Sequence, residues 1–229
     1  MIKRVFIMPL LRFQSDLWKS EVHRLLLLSF FFGFGMLVLR MAYTGSLHFA
    51  FLVWNLFLAF IPWMISYTVF TRPALLQRSW LFLPAFLLWL LFIPNSFYVI
   101  TDLFHLYDSW AVPRWYDLML IFCFAWNALL LGVLSVRHMH KIFRFALGFK
   151  NDWLFVYPVM FLNALGIFMG RYLRFNSWDI VSDPLSLTRN MLHTLFHPLQ
   201  YKSGWAMVFC FSFFLSLFYM TLQKLRRIF

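Results

Sequence analysis

Six stretches of about 20 nearly unbroken apolar residues constrain the fold of this chain more than any other feature. Wound as α-helices, stretches of this length match the roughly 30 Å hydrocarbon core of a bilayer. Transmembrane strands would instead alternate in polarity. With 63% hydrophobic and 12% charged residues, the chain also has too much apolar surface for a water-soluble domain. The sequence therefore predicts an all-α, polytopic membrane helical bundle, with spans at about 24–43, 49–70, 79–100, 117–136, 153–174 and 204–223.

The segments between these spans are too short to form a separate soluble domain. Residues 24–229 are therefore predicted to be a single transmembrane helical bundle domain. Residues 1–23 mix apolar and basic side chains, which is typical of an amphipathic segment on the cytoplasmic membrane surface. Residues 185–199 show helical apolar spacing and predict an interfacial helix over the outer mouth. His193 and His197 in it have the spacing of two metal ligands, but the glutamate of HExxH is absent and no metal site is predicted.

The distribution of charged residues predicts the orientation of the bundle. With the N-terminus inside, 14 of the 20 Lys and Arg residues lie on the inner side, and five of the eight acids lie on the outer side. Cytoplasmic connections carry the excess of basic residues, so both termini are predicted to be cytoplasmic. The net charge of +12 thus reflects membrane orientation, and nucleic acid is not expected as a partner. His138 and His140 are expected to be solvated in a basic inner loop.

The first candidate site closes the third span, where Pro94 and Asn95 are predicted to interrupt the helix. Beyond them, Asp102 and His105 lie three residues apart and project from one helix face. Such a pair could ligate a metal, act as a histidine base oriented by a carboxylate, or form a hydrogen bond that anchors a helix end. A metal site or a histidine base would each need a third partner. The spacing alone does not distinguish among the metal site, the base and the anchoring hydrogen bond.

The second candidate lies at the entry to the fourth span. Asp117 is placed to cap the N-terminus of this span, where its carboxylate would accept amide hydrogens of the first turn. A functional role explains it equally well. Trp115 and Tyr116, directly before it, are expected to be interfacial aromatic residues.

The third candidate follows the fifth span. Gly166 and Gly170 form a GxxxG motif, which allows close helix contact just before Arg171. Arg171 and Arg174 lie on the outer side, where positive charge is disfavoured, so a compensating group is expected.

That compensation has two interpretations. Asp102, Asp117 or Asp179 could pair with the arginines and clamp the third, fourth and fifth spans together. Alternatively, the arginines bind a phosphate or carboxylate in a fork geometry.

Few polar residues remain inside the spans. Asn55, Asn127 and Asn163 are expected to hydrogen-bond neighbouring helices rather than line a substrate path. Cys123 and Cys210 lie in apolar stretches and are interpreted as small core side chains.

Three tracts resemble an uncharacterised bacterial family of multi-pass membrane proteins known only as a domain of unknown function. They are Leu91–Leu106 (LFIPNSFYVITDLFHL), Trp115–Asp117 (WYD) and Gly170–Pro184 (GRYLRFNSWDIVSDP), and the likeness spans roughly residues 50–200. The resemblance implies a bacterial cytoplasmic (inner) membrane. It brings no established activity, so no residue role follows from it.

These observations lead to a functional hypothesis about the outer face. We expect a polar site that binds or processes an anionic lipid or lipid-linked headgroup, with membrane lipids as partners. A transporter or channel component is the alternative, and a membrane assembly or scaffold protein is the third class. The residues do not show whether the protein is an enzyme or needs a cofactor. The expected site residues are Asp102, His105 and Asp117 for catalysis and Arg171, Arg174, Asn176 and Asp179 for anion binding.

Overall fold

The computed structural model of the protein describes residues 21–108, 111–148, 151–173 and 200–225, together with residues 185, 189 and 193. In this part of the chain all regular structure is helical, which confirms the predicted all-α class. The elements are α1 (Glu21–Thr44), α2 (Phe51–Thr71), the single-turn α3 (Pro73–Leu76), α4 (Ser79–Tyr98), a 3-10 segment (Val99–Tyr107), α5 (Arg114–Leu147), α6 (Trp153–Tyr172) and α7 (Lys202–Leu225).

Within the described ranges, six helices are long and apolar enough to cross a membrane. They are α1, α2, α4 with its 3-10 continuation, α5, α6 and α7. The apolar spans of α1, α2, α6 and α7 begin and end within two residues of the predicted bounds. The prediction of a polytopic bundle with six spans is therefore confirmed, whereas its orientation in the membrane stays a prediction.

The third and fourth spans are longer than predicted. The third continues through the 3-10 segment to Tyr107, and α5 runs to Leu147. Helix α5 continues because buried apolar side chains recur every three residues from its predicted end onward, at Val136, Met139 and Ile142. The basic residues that suggested an inner loop therefore lie on this helix.

The predicted interruption of the third span at Pro94 and Asn95 is wrong. Helix α4 runs through both residues to Tyr98, and the Asn95 side chain donates to the carbonyl oxygen of Phe92 at 3.0 Å. Membrane helices tolerate proline where nearby groups satisfy the freed backbone. The change from α to 3-10 geometry comes later, at Val99.

By its internal contacts, the chain divides into two compact units, Met1–Ile142 and Phe143–Phe229. The predicted single bundle domain stays a prediction. The two predicted interfacial segments, 1–23 and 185–199, lie almost entirely outside the described residues.

Two backbone carbonyls of α2, at Ala59 and Pro62, accept hydrogen bonds from serine hydroxyls of neighbouring helices. The Ser96 hydroxyl donates to the carbonyl of Ala59 at 3.0 Å, and the Ser135 hydroxyl donates to that of Pro62 at 2.9 Å. Trp89 in turn donates from Nε1 to Ser135 Oγ at 2.8 Å. These bonds join α2, α4 and α5 in one arrangement.

Close approach of α4 and α5 is possible because position 132 has no side chain. A Cβ added at Gly132 would lie 2.8 Å from Ser96 Cβ and 3.1 Å from Phe97 Cζ. Carbon atoms in contact normally stay about 3.5–4.0 Å apart. The junction therefore requires glycine here.

The second unit packs α6 against α7. Ala164, Phe168 and Val208 form its buried apolar cluster, and a Cβ at Gly204 would lie only 2.3 Å from Phe168 Cε2. The glycines of the predicted GxxxG contact are both half-buried on α6. Cys210 is exposed on α7, so its interpretation as a core side chain is wrong.

Two of the three mid-span asparagines connect helices. Asn127 donates to Ser29 Oγ at 2.9 Å, which joins α5 to α1, and Asn55 on α2 bonds across to the 3-10 segment. Asn163 donates to the carbonyl of Val159 in its own helix. The interpretation as links between helices is therefore confirmed for Asn55 and Asn127.

Candidate functional site

A buried ion pair joins α1 to α5 in the first unit. Arg40 Nε donates to Asp117 Oδ1 at 2.6 Å, and Nη2 donates to Oδ2 at 3.1 Å. Both side chains are 1% exposed. The guanidinium also lies 4.3 Å from the ring centroid of the buried Phe49. Two parallel charge-assisted hydrogen bonds and an aromatic face together offset the desolvation of these charges.

This pair corrects the interpretation of Asp117 as a helix cap at the entry to α5. The helix begins at Arg114, so Asp117 lies in its first turn and its carboxylate bonds Arg40 instead of capping backbone amides. Tyr116 is half-buried, and its hydroxyl donates to the carbonyl of Met36 at 2.7 Å. Trp115 is 67% exposed, as expected of an interfacial residue. The interfacial position of both aromatic residues stays a prediction.

Asp102 is held by α2. Asn55 Nδ2 donates to Asp102 Oδ2 at 2.8 Å, and Asp102 is 1% exposed. The neighbouring His105 points to a different carboxylate, because its Nδ1 lies 2.5 Å from Asp108 Oδ2. Asp108, three residues further on, contacts this ring nitrogen, and the orientation of His105 by Asp102 stays a prediction.

One apolar cluster lies directly beneath Arg40, Asn55, Asp102 and Asp117. Leu37, Leu120 and Val99 each lie three residues from Arg40, Asp117 and Asp102, respectively, and all three are buried in the same cluster. Residues three apart share a helix face. Leu52 and Leu56, on either side of Asn55, belong to the cluster as well. We name Arg40, Asn55, Asp102 and Asp117 the polar layer; it lies at the end of the first unit predicted to face outside.

More exposed residues surround this layer at the same helix ends. His105 and Asp108 are 33% and 43% exposed. The Arg114 guanidinium carbon lies 5.1 Å from the centroid of the Tyr107 ring. We name the exposed residues of these helix ends the rim: Phe104, His105, Tyr107, Asp108, Arg114 and Trp115.

The predicted anion-binding residues belong to the second unit. Arg171 lies in the last turn of α6 and is half-buried. Arg174, Asn176 and Asp179 lie outside the described residues. Convergence of these residues with the carboxylates of the first unit stays a prediction.

The opposite end of the first unit holds two histidines that sequence reasoning misplaced. His138 and His140 are each 3% exposed and lie within α5, so the prediction that they are solvated in a loop is wrong. His138 Nδ1 lies 3.2 Å from Ser66 Oγ, and its ring stacks on Phe70 with 5.0 Å between centroids. The buried positions of α5 extend past the basic residues and include both histidines.

Among the described residues, no group of three His, Cys, Asp or Glu side chains is placed to hold a metal ion. His193, half of the HxxxH pattern, lies 3.4 Å from the Tyr201 hydroxyl through Nδ1, and His197 lies outside the described residues. No metal role is assigned to this pattern.

Sequence reasoning missed Arg40 as a member of the site. The sequence did contain an indication of this role, because a charged residue inside an apolar span requires a partner at membrane depth. Its partner, however, lies 77 positions away, and no local spacing indicates it. Asn55 was recognised as a link between helices, but its pairing with Asp102 across 47 positions was not.

Comparison with known proteins gives a family and no function. No curated protein and no solved structure matches the chain. One protein family, described as "Protein of unknown function (DUF1361)", matches residues 54–218, a stretch that includes Asn55, Asp102 and Asp117. Because this match extends over more than half of the chain, the protein belongs to the DUF1361 family.

Proposed function

We propose that this is a bacterial cytoplasmic-membrane protein, with both termini in the cytoplasm, whose outer end binds or processes an anionic lipid or lipid-linked headgroup. Membrane lipids are then its partners. Arg171 and Arg174 hold the anion, assisted by Asn176 and Asp179, while His105 exchanges protons with the headgroup.

A partly exposed histidine–carboxylate pair carries this proposal. His105 and Asp108 lie on the rim, where a headgroup can reach them, and their 2.5 Å contact fits an imidazole oriented by a carboxylate. The ring of Phe51, with 5.1 Å between centroids, packs against the imidazole and limits its rotation. An imidazole held in this way can give or accept a proton at a bound headgroup.

The buried carboxylates take a different role from the catalytic one expected of them. Asp102 and Asp117 are each 1% exposed, so neither can touch a headgroup without a rearrangement of the helix ends. Through Asn55 and Arg40 they fix the ends of α1, α2, α5 and the 3-10 segment. In this proposal the polar layer positions the rim, and the rim contacts the lipid.

Replacement of His105 by glutamine tests the proton-exchange role. In a strain that lacks the gene, the wild-type protein should restore the lipid composition, whereas His105→Gln should process its lipid about 100-fold more slowly or worse. Glutamine retains polarity but cannot exchange a proton at neutral pH. Mass spectrometry of lipid extracts, at matched protein levels, is the measurement.

His48→Gln is the matched control. His48 is also exposed in the first unit, but its ring packs on Phe49, with 4.8 Å between centroids. This variant should behave as wild type. Equal restoration of the lipid composition by both variants would remove His105 from the mechanism.

Proton-coupled transport is the second candidate, and the buried titratable groups of the first unit favour it. Asp102 and Asp117 are buried in the polar layer. His138 and His140 add buried titratable groups at the other end of the same unit.

Asp102→Asn distinguishes the transporter from the lipid-binding protein. Asparagine keeps the size and an oxygen acceptor for Asn55 but cannot bind a proton. A transporter reconstituted in vesicles should dissipate an imposed pH gradient, and Asp102→Asn should abolish the flux while the protein stays folded. A fluorescent pH indicator inside the vesicles measures this. No flux from the wild type in either direction would exclude this candidate.

A further inference from the structure

We propose that the connection between α2 and α4, residues 72–78, is a surface that binds the headgroups of anionic phospholipids at the end of the first unit opposite the rim. We name it the basic connection, since it begins with Arg72 and ends with Arg78. The proposal is independent of the proposed function, because α2 separates the basic connection from Asn55 and the rest of the polar layer.

The backbone of the basic connection is folded into a compact turn. The N–H of Leu75 donates to the carbonyl of Arg72 at 2.9 Å, and the N–H of Arg78 donates to the carbonyl of Leu75 at 3.3 Å. The single-turn α3 occupies the residues between the two arginines. Arg72 and Arg78 therefore belong to the same short turn, one directly after α2 and the other directly before α4.

The basic connection lies between two spans, which places it at the level of lipid headgroups. Helices α2 and α4 are both long and apolar enough to cross a membrane. The headgroup region on each side of a bilayer is about 5–8 Å thick, and one helical turn rises about 5.4 Å, so a connection of this size fits within that region. Trp80, at the start of α4, is 70% exposed, as is typical of aromatic residues at this depth.

Both guanidinium groups are available to an anion. Arg72 and Arg78 are exposed, and neither side chain has an ion pair, a hydrogen bond or a ring contact with another residue in the part of the chain that the structure describes. In the first unit, the carboxylates whose side chains are described are Asp102, Asp108 and Asp117. They belong to the polar layer and the rim, which α4 separates from Arg78 by roughly 30 Å. These carboxylates therefore do not compensate the charge of the basic connection.

Charge complementarity selects an anionic lipid as the occupant. Acyl chains of any phospholipid can cover Trp80 and Leu83, which are 70% and 56% exposed. Only a lipid with a net negative charge also gains from the two arginines. A basic residue at the membrane surface strengthens association with anionic lipid about fivefold, so the pair should give a preference of about 25-fold.

Quenching of Trp80 by brominated lipids tests this surface on the full chain reconstituted in phosphatidylcholine vesicles. The Trp80 signal is the difference in fluorescence between each protein and its own Trp80→Phe counterpart. Half-maximal quenching of the wild type should need about 25-fold less brominated phosphatidylglycerol than brominated phosphatidylcholine. Arg72→Gln and Arg78→Gln should each lower this ratio about fivefold, and the double variant should abolish the preference.

Arg144→Gln is the matched control, because Arg144 is also an exposed arginine but has a carboxylate, that of Asp152, at 3.4 Å. It should keep the ratio within about twofold, since an ion pair of this kind already compensates its charge. A ratio near one in the wild type, or equal losses in Arg144→Gln and Arg72→Gln, would overturn the proposal. A ratio near one together with binding of the wild type, but not of Arg72→Gln, to polyglutamate would assign the surface to an acidic protein segment instead.

Discussion

Arg40→Met should lower the free energy of unfolding by about 3–5 kcal/mol, because it leaves the carboxylate of Asp117 buried without its cation. Asp117→Leu should have a similar effect, since it leaves the guanidinium buried. Denaturant titration in detergent measures both. Arg144→Met is the control: its ion pair with Asp152 spans 3.4 Å and Arg144 is 46% exposed, so the loss should stay within about 1 kcal/mol.

The double variant Arg40→Met with Asp117→Leu should recover much of the lost stability, because two well-packed apolar side chains often replace a buried ion pair without loss. Its function then separates the candidate classes. A stable double variant that restores the lipid composition completely would leave the polar layer a purely structural clamp, as a scaffold protein requires. A stable but inactive one would show that the charges themselves matter. If the single variants are as stable as the wild type, the pair does not hold α1 to α5.

Gly132→Ala should destabilise the first unit by about 1–3 kcal/mol, since its methyl group would overpack the junction of α4 and α5. The added Cβ meets Ser96 Cβ at 2.8 Å, an atom one bond from the backbone that cannot move aside. Gly132→Val should be worse. Loss of the Ser96 bond to the Ala59 carbonyl should follow, because the two helices must separate.

Gly35→Ala provides the matched control for this prediction. Gly35 also lies inside a helix, but an added Cβ there meets no atom within 4 Å. Alanine should therefore stabilise α1 by roughly 0.5–1 kcal/mol through its better helix propensity. Thermal unfolding of the three proteins side by side measures the contrast. Equal effects at positions 35 and 132 would show that α4 and α5 do not approach closely at Gly132.

The helices themselves were largely predictable, because a membrane-spanning helix is recognised by the hydropathy of consecutive residues. Hydropathy summed over about 20 positions indicates a span without any knowledge of its neighbours. The prediction of helix ends and breaks failed where the residue type at one position indicated an interruption but the packing of the helix continued. Charges at Arg137 and Lys141 suggested the end of a span, whereas Val136 and Met139 continue the buried face of α5. Pro94 suggested a break that the surrounding helices tolerate.

The candidate site was predictable only in part. Spacing along the chain singled out Asp102 and Asp117 as polar groups that need partners in an apolar bundle. It did not identify those partners, because Asn55 and Arg40 lie 47 and 77 positions away and come close only when the helices pack. The sequence by itself thus determined that this is a six-span helical membrane protein with polar residues at its helix ends. Only the tertiary structure decided which charged residues are buried in the layer and which are exposed on the rim, because burial and pairing depend on how the helices pack in space.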